Sequence, residues 1–325
     1  MAEKVIYKLT TPSGDPVRVE EAWKDANGEL LTEKVNKADA QTITGLKTFS
    51  TLPQSSATPS DDKDLATKKY SDDLWATRKA QEEKCYQALK TVTEDFTRTD
   101  PVYVRIGEDG EPEIHYTMTQ ADGSSYFANM DLGDATIYVR NGAVCTTFDN
   151  CFNRATAKAV VIDSTANAIS LIGVFRMFNG SDLSKTTIDG TNATSIYAIC
   201  DEMSGVTLPP NFTNTRNVKS GGQLFGWSSG LTYVPEIDLS SVENLIYAFN
   251  SLTNITAFHA TGMSVSFDIH WSTKLTRAAL LEVFNNLADL TGKTSATLTI
   301  GATLGAKITD EDRAIVTGKN WNLAE

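Results

Sequence analysis

The chain has 325 residues, 41% of them hydrophobic and 22% charged, a composition typical of folded rather than disordered proteins. The 41 Asp and Glu residues outnumber the 29 Lys and Arg residues, which gives a formal net charge of −12. Such an acidic balance disfavours binding to the phosphate backbone of nucleic acids. No stretch approaches the ~20 apolar residues that a membrane-spanning helix needs. We therefore expect no nucleic-acid partner and no membrane insertion.

The cysteine and histidine content disfavours a metal or redox centre. Four cysteines occur at spacings that match no zinc or redox motif: Cys85, Cys145, Cys151 and Cys200. We expect free thiols in a protein made in a reducing cytoplasm, since the residues after Met1 show no secretory signal. None of the three histidines has a ligand-like neighbour pattern. The sequence predicts no catalytic residue, no cofactor and no metal ion.

Residues 1–60 are polar and repeatedly interrupted by proline and glycine, as at residues 11–16 and 25–28. Such a stretch contains too few apolar residues to form a core of its own. We expect an extended arm that docks on another surface.

Residues 61–100 have the pattern of a helix, with acidic residues after Ser60 and no proline or glycine before Pro101. Near-heptad spacing, with the polar Arg78 and Gln81 in its first half, defines a candidate oligomer seam. Its apolar members are Leu74, Cys85, Leu89, Val92 and Phe96. Two or three parallel copies would bury this seam in a weak coiled-coil stalk. The alternative is a lone helix that lies on its own domain.

Residues 101–143 predict a small antiparallel β region. Apolar residues alternate over 102–106 and 113–118, and turn signals occur at 107–110 and 121–124. Alternating strands joined by short turns are typical of a meander.

Residues 144–270 contain a repeat. A corner made of an apolar residue and Asp, loosened once to Thr-Asn, recurs at intervals of 26, 25 and 24 residues. The corners end at Asp163, Asp189, Asn214 and Asp238. Eleven or twelve residues after each corner comes a bulky or buried-type residue: Phe175, Cys200, Phe225 and Phe249. Aligning the last two also aligns Val234 with Phe258. A period in the mid-twenties predicts a leucine-rich-repeat-like solenoid.

Residues 271–325 predict an α/β cap that covers the open end of the repeats. Residues 276–289 have an amphipathic helical pattern, residues 297–300 that of a strand, and residues 309–317 that of a short helix stopped by Gly318. The predicted fold class is therefore α+β. It combines an extended arm, a coiled-coil helix, a small antiparallel β region, a leucine-rich-repeat-like solenoid and an α/β C-terminal cap.

Two parts of the chain resemble known families. Residues 38–50 (ADAQTITGLKTFS) and 64–73 (DLATKKYSDD) resemble the linker of bacteriophage fibre proteins, with Ser71 in place of the usual valine. The repeats resemble the BspA-like leucine-rich repeats of surface proteins from Bacteroides-type bacteria and their phages. Residues 279–294 and 308–321 look like the end cap of that group, although most repeats lack its usual Met-Phe-x-x-Cys.

These resemblances imply a structural phage fibre, without enzymatic activity, on the virion tail or capsid. Residues 1–60 would attach to other virion proteins, and the repeats would contact a host-surface glycan or protein. The resemblance also implies a homo-oligomer, most simply a trimer, made in the host cytoplasm. Trp227 and Tyr233 are candidate ligand contacts.

Three alternatives remain open: a capsid rather than a tail fibre, a bacterial surface adhesin, and a fibre-borne polysaccharide depolymerase. A depolymerase needs two carboxylates facing one cleft. The sequence offers Asp163, Asp189 and Asp238 only at repeated corners, which favours an architectural role.

Overall fold

The computed structural model describes four parts of the chain: Lys4–Tyr7, Glu20–Trp23, Asp62–Glu94 and residues 101–325. The rest of the predicted arm at residues 1–60, the side chain of Val92 and all of Phe96 lie outside the described residues.

The chain divides into two compact units. The first comprises residues 1–90 and 103–112, and the second comprises residues 91–102 and 113–325. The five predicted domains, at 1–60, 61–100, 101–143, 144–270 and 271–325, stay predictions.

Short strands and one long helix form the described part of the first unit. Strand β1 (Lys4–Tyr7) pairs antiparallel with β2 (Glu20–Trp23). Helix α1 (Asp62–Glu94) runs uninterrupted for 33 residues, and β3 (Val102–Ile106) follows it.

The predicted coiled-coil stalk is wrong. Helix α1 is a single helix, and Cys85 and Leu89, which were expected to face other copies, are buried in the chain itself. Lys84, on the same helical turn, forms an ion pair of 2.7 Å with Glu111. Leu74 is 58% exposed. Side chains already removed from water within one chain cannot also line a seam between chains.

Strands in the second unit are short, and most run parallel to their neighbours. In chain order they are β4 (Pro112–Thr117), β5 (Thr136–Arg140), β6 (Ala159–Ile162), β7 (Thr187–Asp189), β8 (Asn211–Thr213), β9 (Tyr233–Asp238), β10 (Ala257–Thr261), β11 (Phe267–Asp268), β12 (Ala296–Thr299) and β13 (Trp321–Ala324). Parallel pairs join β4 to β5, β5 to β6, β7 to β8, β9 to β10, β11 to β12 and β12 to β13. Two short 3-10 helices lie at Gly142–Val144 and Thr215–Asn217.

The predicted antiparallel β region is wrong from β4 onward. Ile114 pairs with Ile137 and Tyr116 pairs with Val139, in parallel register. The connection between these strands is long enough to return the chain to the same end of the sheet, which parallel pairing requires. Alternation of apolar residues predicts a strand but does not specify its direction.

Between the strands the chain forms a stack of turns, which we call the parallel stack (residues 113–261). Single parallel bridges join successive turns at positions 23 to 25 residues apart: Asp122, Thr147, Ser170, Ser195, Ser220 and Asn244. Each turn contains a five-residue turn segment whose first and last residues have positive φ. The six turn segments are 125–129, 150–154, 173–177, 198–202, 223–227 and 247–251. Alternate N–H groups of one segment donate to carbonyl groups of the next, as from Phe225 to Ala248 at 2.8 Å.

The middle residues of the turn segments form a buried row. They are Phe127, Phe152, Phe175, Cys200, Phe225 and Phe249. The rings of Phe127 and Phe152 stack with centroids 4.9 Å apart, and those of Phe152 and Phe175 with centroids 5.5 Å apart. Val234 and Phe258 are register partners, as the aligned repeats predict. This buried row lies in the core of the stack.

The predicted fold class is wrong in its architecture. The described residues are α+β, with four helices and several small sheets, and they do not show the predicted leucine-rich-repeat-like solenoid. Strands β7 and β8 have three residues each, and only single bridges connect Asp182 to Ala159 and to Leu208. Pro209 and Pro210, directly before β8, cannot donate ladder hydrogen bonds, which interrupts the sheet.

Three helices accompany the last sheet: α2 (Arg277–Asn286), α3 (Gly301–Gly305) and α4 (Asp310–Gly318). The predicted helices at 276–289 and 309–317 are confirmed. Thr309 and Asp312 form a capping box on α4, and Arg277 binds the Asp312 carboxylate through two hydrogen bonds of 2.7 and 2.8 Å. The prediction that Gly318 ends the helix is wrong, because α4 includes Gly318. The residue with positive φ that follows the helix is Asn320.

The buried row predicts a large effect for one core substitution. Phe152→Ala should lower the free energy of unfolding by about 3–5 kcal/mol, since it removes a ring that stacks on both sides and leaves a cavity. Urea unfolding measures the change. Trp271→Ala, at a half-exposed position, is the control and should change stability by about 0.5 kcal/mol or less. Equal effects of the two substitutions would contradict a core built on this row.

Candidate adhesion surface

The two predicted ligand contacts lie next to different aromatic neighbours. Trp227 is 38% exposed, and its ring centroid lies 5.5 Å from that of Tyr247. Tyr233, on β9, is partly buried, and its ring centroid lies 6.3 Å from that of His259. Trp227 and Tyr247 are neighbours of two further exposed apolar side chains, Tyr197 and Ile246.

Four exposed side chains on three successive turns form a surface that we call the aromatic patch: Tyr197, Trp227, Ile246 and Tyr247. Ile246 and Tyr247 are 61% and 58% exposed. Gly222 lies between Tyr197 and Ile246, since a Cβ there would come within 3.2 Å of the Tyr197 ring and 3.4 Å of the Ile246 carbonyl oxygen. The Tyr197 hydroxyl donates to Gln223 Oε1. These contacts make the patch continuous from one turn to the next.

Turn geometry explains why these side chains face outward. Trp227 ends one turn segment and Tyr247 begins the next, both with positive φ, while the intervening row of Phe225 and Phe249 is buried. At positive φ a bulky side chain is less favourable than Asn or Gly. An aromatic residue at such a position gives the backbone no advantage. This observation favours a role for the two exposed rings themselves.

An acidic side chain is buried next to the patch. Asp201 is fully buried, and neither of its carboxylate oxygens has a hydrogen-bond partner. Arg176 Nε lies 3.3 Å from Asp201 Oδ2, while Arg176 Nη2 donates to Glu202 Oε1 at 2.9 Å. A Cβ at Gly226 would lie only 2.9 Å from Asp201 Oδ1, so the residue before Trp227 must lack a side chain.

Burial changes the ionisation of this acid. Desolvation, together with the negative charge of Glu202, raises the pKa of Asp201 to about 6, although Arg176 opposes the shift. A buried carboxylate that lacks hydrogen bonds is costly even when a cation lies near it. The carboxyl group is enclosed and does not face a cleft, so it is not placed to act on a substrate.

The corner acids have architectural contacts. Asp163 accepts hydrogen bonds from the backbone N–H groups of Asn141 and Gly142, at 2.7 and 2.8 Å. Asp189 accepts a hydrogen bond from the backbone N–H of Thr191, and Asp238 accepts one from the backbone N–H of Ser240. Each bond is 2.9 Å long and joins residues two apart in the chain. These bonds fix the chain at each corner, as the repeated spacing predicts.

Metal ligands are not gathered anywhere in the described residues. Each histidine has a carboxylate partner; the pairs are His115–Glu113 at 3.2 Å, His259–Glu282 at 2.6 Å and His270–Asp268 at 2.6 Å. Within the described ranges, no group of three or more His, Cys, Asp or Glu residues is arranged to hold a metal ion. The four cysteines are buried free thiols, as expected. None of the described helices has the length and apolar character to cross a membrane.

Sequence reasoning missed Tyr197 and Ile246, and it did not single out Asp201. Tyr197 and Ile246 each directly precede a turn segment, so the repeat alignment places them at equivalent exposed positions. Alignment on the corners alone could not distinguish these positions from core ones, because Gly222, the equivalent residue on the intervening turn, is buried.

The buried acid predicts a specific dependence of stability on pH. Asp201 keeps its proton up to about pH 6 in the folded chain, whereas an ordinary Asp ionises near pH 4 when unfolded. Its contribution to stability is therefore full below pH 4 and is lost as the pH rises to 6, by about 3 kcal/mol in total. Asp201→Asn should remove this loss. Urea unfolding between pH 4 and 7 measures it.

Asp189→Asn is the matched control. Burial alone would raise the pKa of Asp189, but hydrogen bonds from Thr191 and Asn214 lower it. Asp189→Asn should therefore leave the slope between pH 4 and 6 unchanged. If the Asp201 variant keeps the slope of the parent chain, the buried carboxyl group is not its source.

Comparison with known proteins supplies no relative. No protein-family model, no curated protein and no solved structure matches this chain.

Proposed function

We propose that this chain is a structural phage fibre protein that attaches to the virion through its N-terminal residues and adheres to the host surface through the aromatic patch. The fibre belongs to the virion tail or, as the alternative, to the capsid. Its receptor is a host-surface glycan or protein. The proposal includes no enzymatic step, since the corner acids hold turns and Asp201 is enclosed.

The observation that carries the adhesive function is the aromatic patch. Contiguous exposed apolar surfaces on folded proteins commonly mark interaction sites. Trp and Tyr contribute large contact areas with little loss of conformational entropy, and they dominate the energetics of many interfaces. Trp227, Tyr247 and Tyr197 provide three such rings on successive turns of a hydrogen-bonded stack. A backbone fixed on both sides holds these side chains in place before a ligand arrives.

The virion assignment depends on the sequence of the linker. Residues 38–50 and 64–73 resemble the linker of phage fibre proteins. The polar, proline-interrupted composition of residues 1–60 fits an arm that attaches to another virion protein.

The first test of the proposal uses host binding by the purified chain. Trp227→Asn and Tyr247→Asn remove the rings at positive φ, where Asn is well tolerated. Each should weaken adsorption of the labelled protein to host cells about 10-fold or more, as expected for central aromatic contacts. Trp271→Ala, a half-exposed tryptophan outside the patch, should leave adsorption unchanged.

Antibody labelling of purified virions completes this test. Electron microscopy should place the label on the tail, or on the capsid for the alternative. Virions without label would overturn the fibre assignment and favour the bacterial adhesin. Equal adsorption by the patch variants and the parent chain would overturn the adhesive role of the patch.

Self-association into a trimer is a separate part of the proposal. Helix α1 exposes Leu74, Trp75 and Tyr86, and exposed apolar side chains on one helix favour contact with other copies. Light scattering should give a mass three times that of the chain. Leu74→Ser combined with Trp75→Ser should lower this mass, whereas Lys79→Ser, an exposed polar position on α1, should not. A monomeric parent chain would contradict self-association.

A further inference from the structure

We propose that a polar groove at the corners of the parallel stack binds a single neutral sugar ring. The groove has a volume of about 520 Å³ and lies across three successive corners. Its lining residues are Thr191, Asn214, Thr215, Arg216, Asn217 and Asp238. None of these residues belongs to the aromatic patch.

The composition of the groove points to a polyhydroxylated ligand. A volume of this size lies within the range of small-molecule sites, yet every lining side chain is polar, whereas most such sites are mainly apolar. A ligand without a large apolar surface, and with many hydroxyl groups that both donate and accept, matches this lining.

The side-chain amides of Asn214 and Asn217 are held so that their Oδ1 atoms can accept hydrogen bonds from a ligand. Asn214 Nδ2 donates to Asp189 Oδ1 at 3.1 Å, and Asn217 Nδ2 donates to the Thr191 carbonyl oxygen at 3.2 Å. These bonds use one amide hydrogen of each side chain and fix both amides before a ligand enters. Each Oδ1 is then an acceptor for a sugar hydroxyl.

Arg216 supplies the donors. Its side chain is 80% exposed, and its Nε donates to Asp238 Oδ2 at 3.2 Å. A guanidinium group has five N–H donors, of which this bond uses one. The terminal nitrogens can therefore donate to ligand oxygens while the Nε contact keeps the group at the groove.

The charge of the groove favours a neutral ligand over an anionic one. Arg216 is paired with Asp238, and Asp189 lies behind Asn214. Burial alone would raise the pKa of Asp238, but hydrogen bonds from Ser240 and Arg216 lower it, so the carboxylate stays ionised at neutral pH. A uronate or a phosphate would be repelled by these two negative charges, whereas a neutral hydroxyl can donate to the Asp238 carboxylate that lines the groove.

Binding by the purified full-length chain tests the groove independently of virions and host cells. Saturation-transfer NMR uses three neutral probes, the methyl glycosides of glucose, galactose and mannose, with glucuronate and inorganic phosphate as anionic probes. At least one neutral glycoside should bind in the millimolar range, and more tightly than either anion. Arg216→Ala and Asn214→Gly should each weaken it about 10-fold, the equivalent of 1.4 kcal/mol.

The variants are chosen to leave the fold intact. Glycine accepts the φ of +55° at Asn214, and Arg216 is mostly exposed. Lys219→Ala is the matched control, because Lys219 is also an exposed cation that pairs with a carboxylate of the next turn, Glu243 at 3.6 Å. It should leave sugar binding unchanged.

Three results would overturn the proposal: no neutral glycoside binds up to tens of millimolar, binding persists in both groove variants, or an anionic probe binds more tightly. If the groove binds sugar while the patch variants adsorb normally, the groove proposal stands and the adhesive role of the aromatic patch is rejected. Loss of adsorption in the patch variants, with no sugar binding, would reject the groove alone.

Discussion

Backbone hydrogen bonds between successive turns are the interaction on which the rest of the second unit depends. The N–H of Phe152 donates to Val174 at 2.8 Å, and the N–H of Cys200 donates to Leu224 at 3.0 Å, in the manner of parallel strands. Positive φ at both ends of each turn segment makes the chain bend within five residues. Because every turn has nearly the same length, residues at equivalent positions stack directly upon one another, and each turn buries its apolar side against its neighbours.

This stacking turns single positions into rows, and the rows explain the properties of both surfaces. The middle row is almost entirely phenylalanine, and its rings lie in the core. Trp227 and Tyr247 lie two positions from the middle of their segments, where they are exposed, and they form a patch only because they occur on neighbouring turns. At the position directly after the middle row, the partly exposed Arg176 lies 3.3 Å from the buried carboxylate of Asp201 without hydrogen-bond geometry. A row therefore concentrates whatever chemistry its residues carry, whether apolar, aromatic or charged.

The corners follow the same rule with polar residues. Carboxylates and amides there satisfy backbone N–H and carbonyl groups that would otherwise lack partners at the bends, as Asp163 does for Gly142. Where Arg216 replaces the small polar residues of other corners, its cation pairs with Asp238 and a polar groove lies beside it. Corner carboxylates thus have an architectural role at Asp163, Asp189 and Asp238, and Asp238 also lines a candidate binding site.

The sequence by itself determined the features that depend on local spacing. The helices after Thr276 and Thr309, the register of Val234 with Phe258, and the free state of the cysteines all follow from near neighbours or from the repeat period. Tertiary structure alone decided strand direction, the burial of Leu89 within its own chain, the short separate sheets and the continuity of the aromatic patch. These features depend on which distant segment packs against each residue. An apolar pattern in a sequence predicts which residues favour burial, but not which surface will bury them.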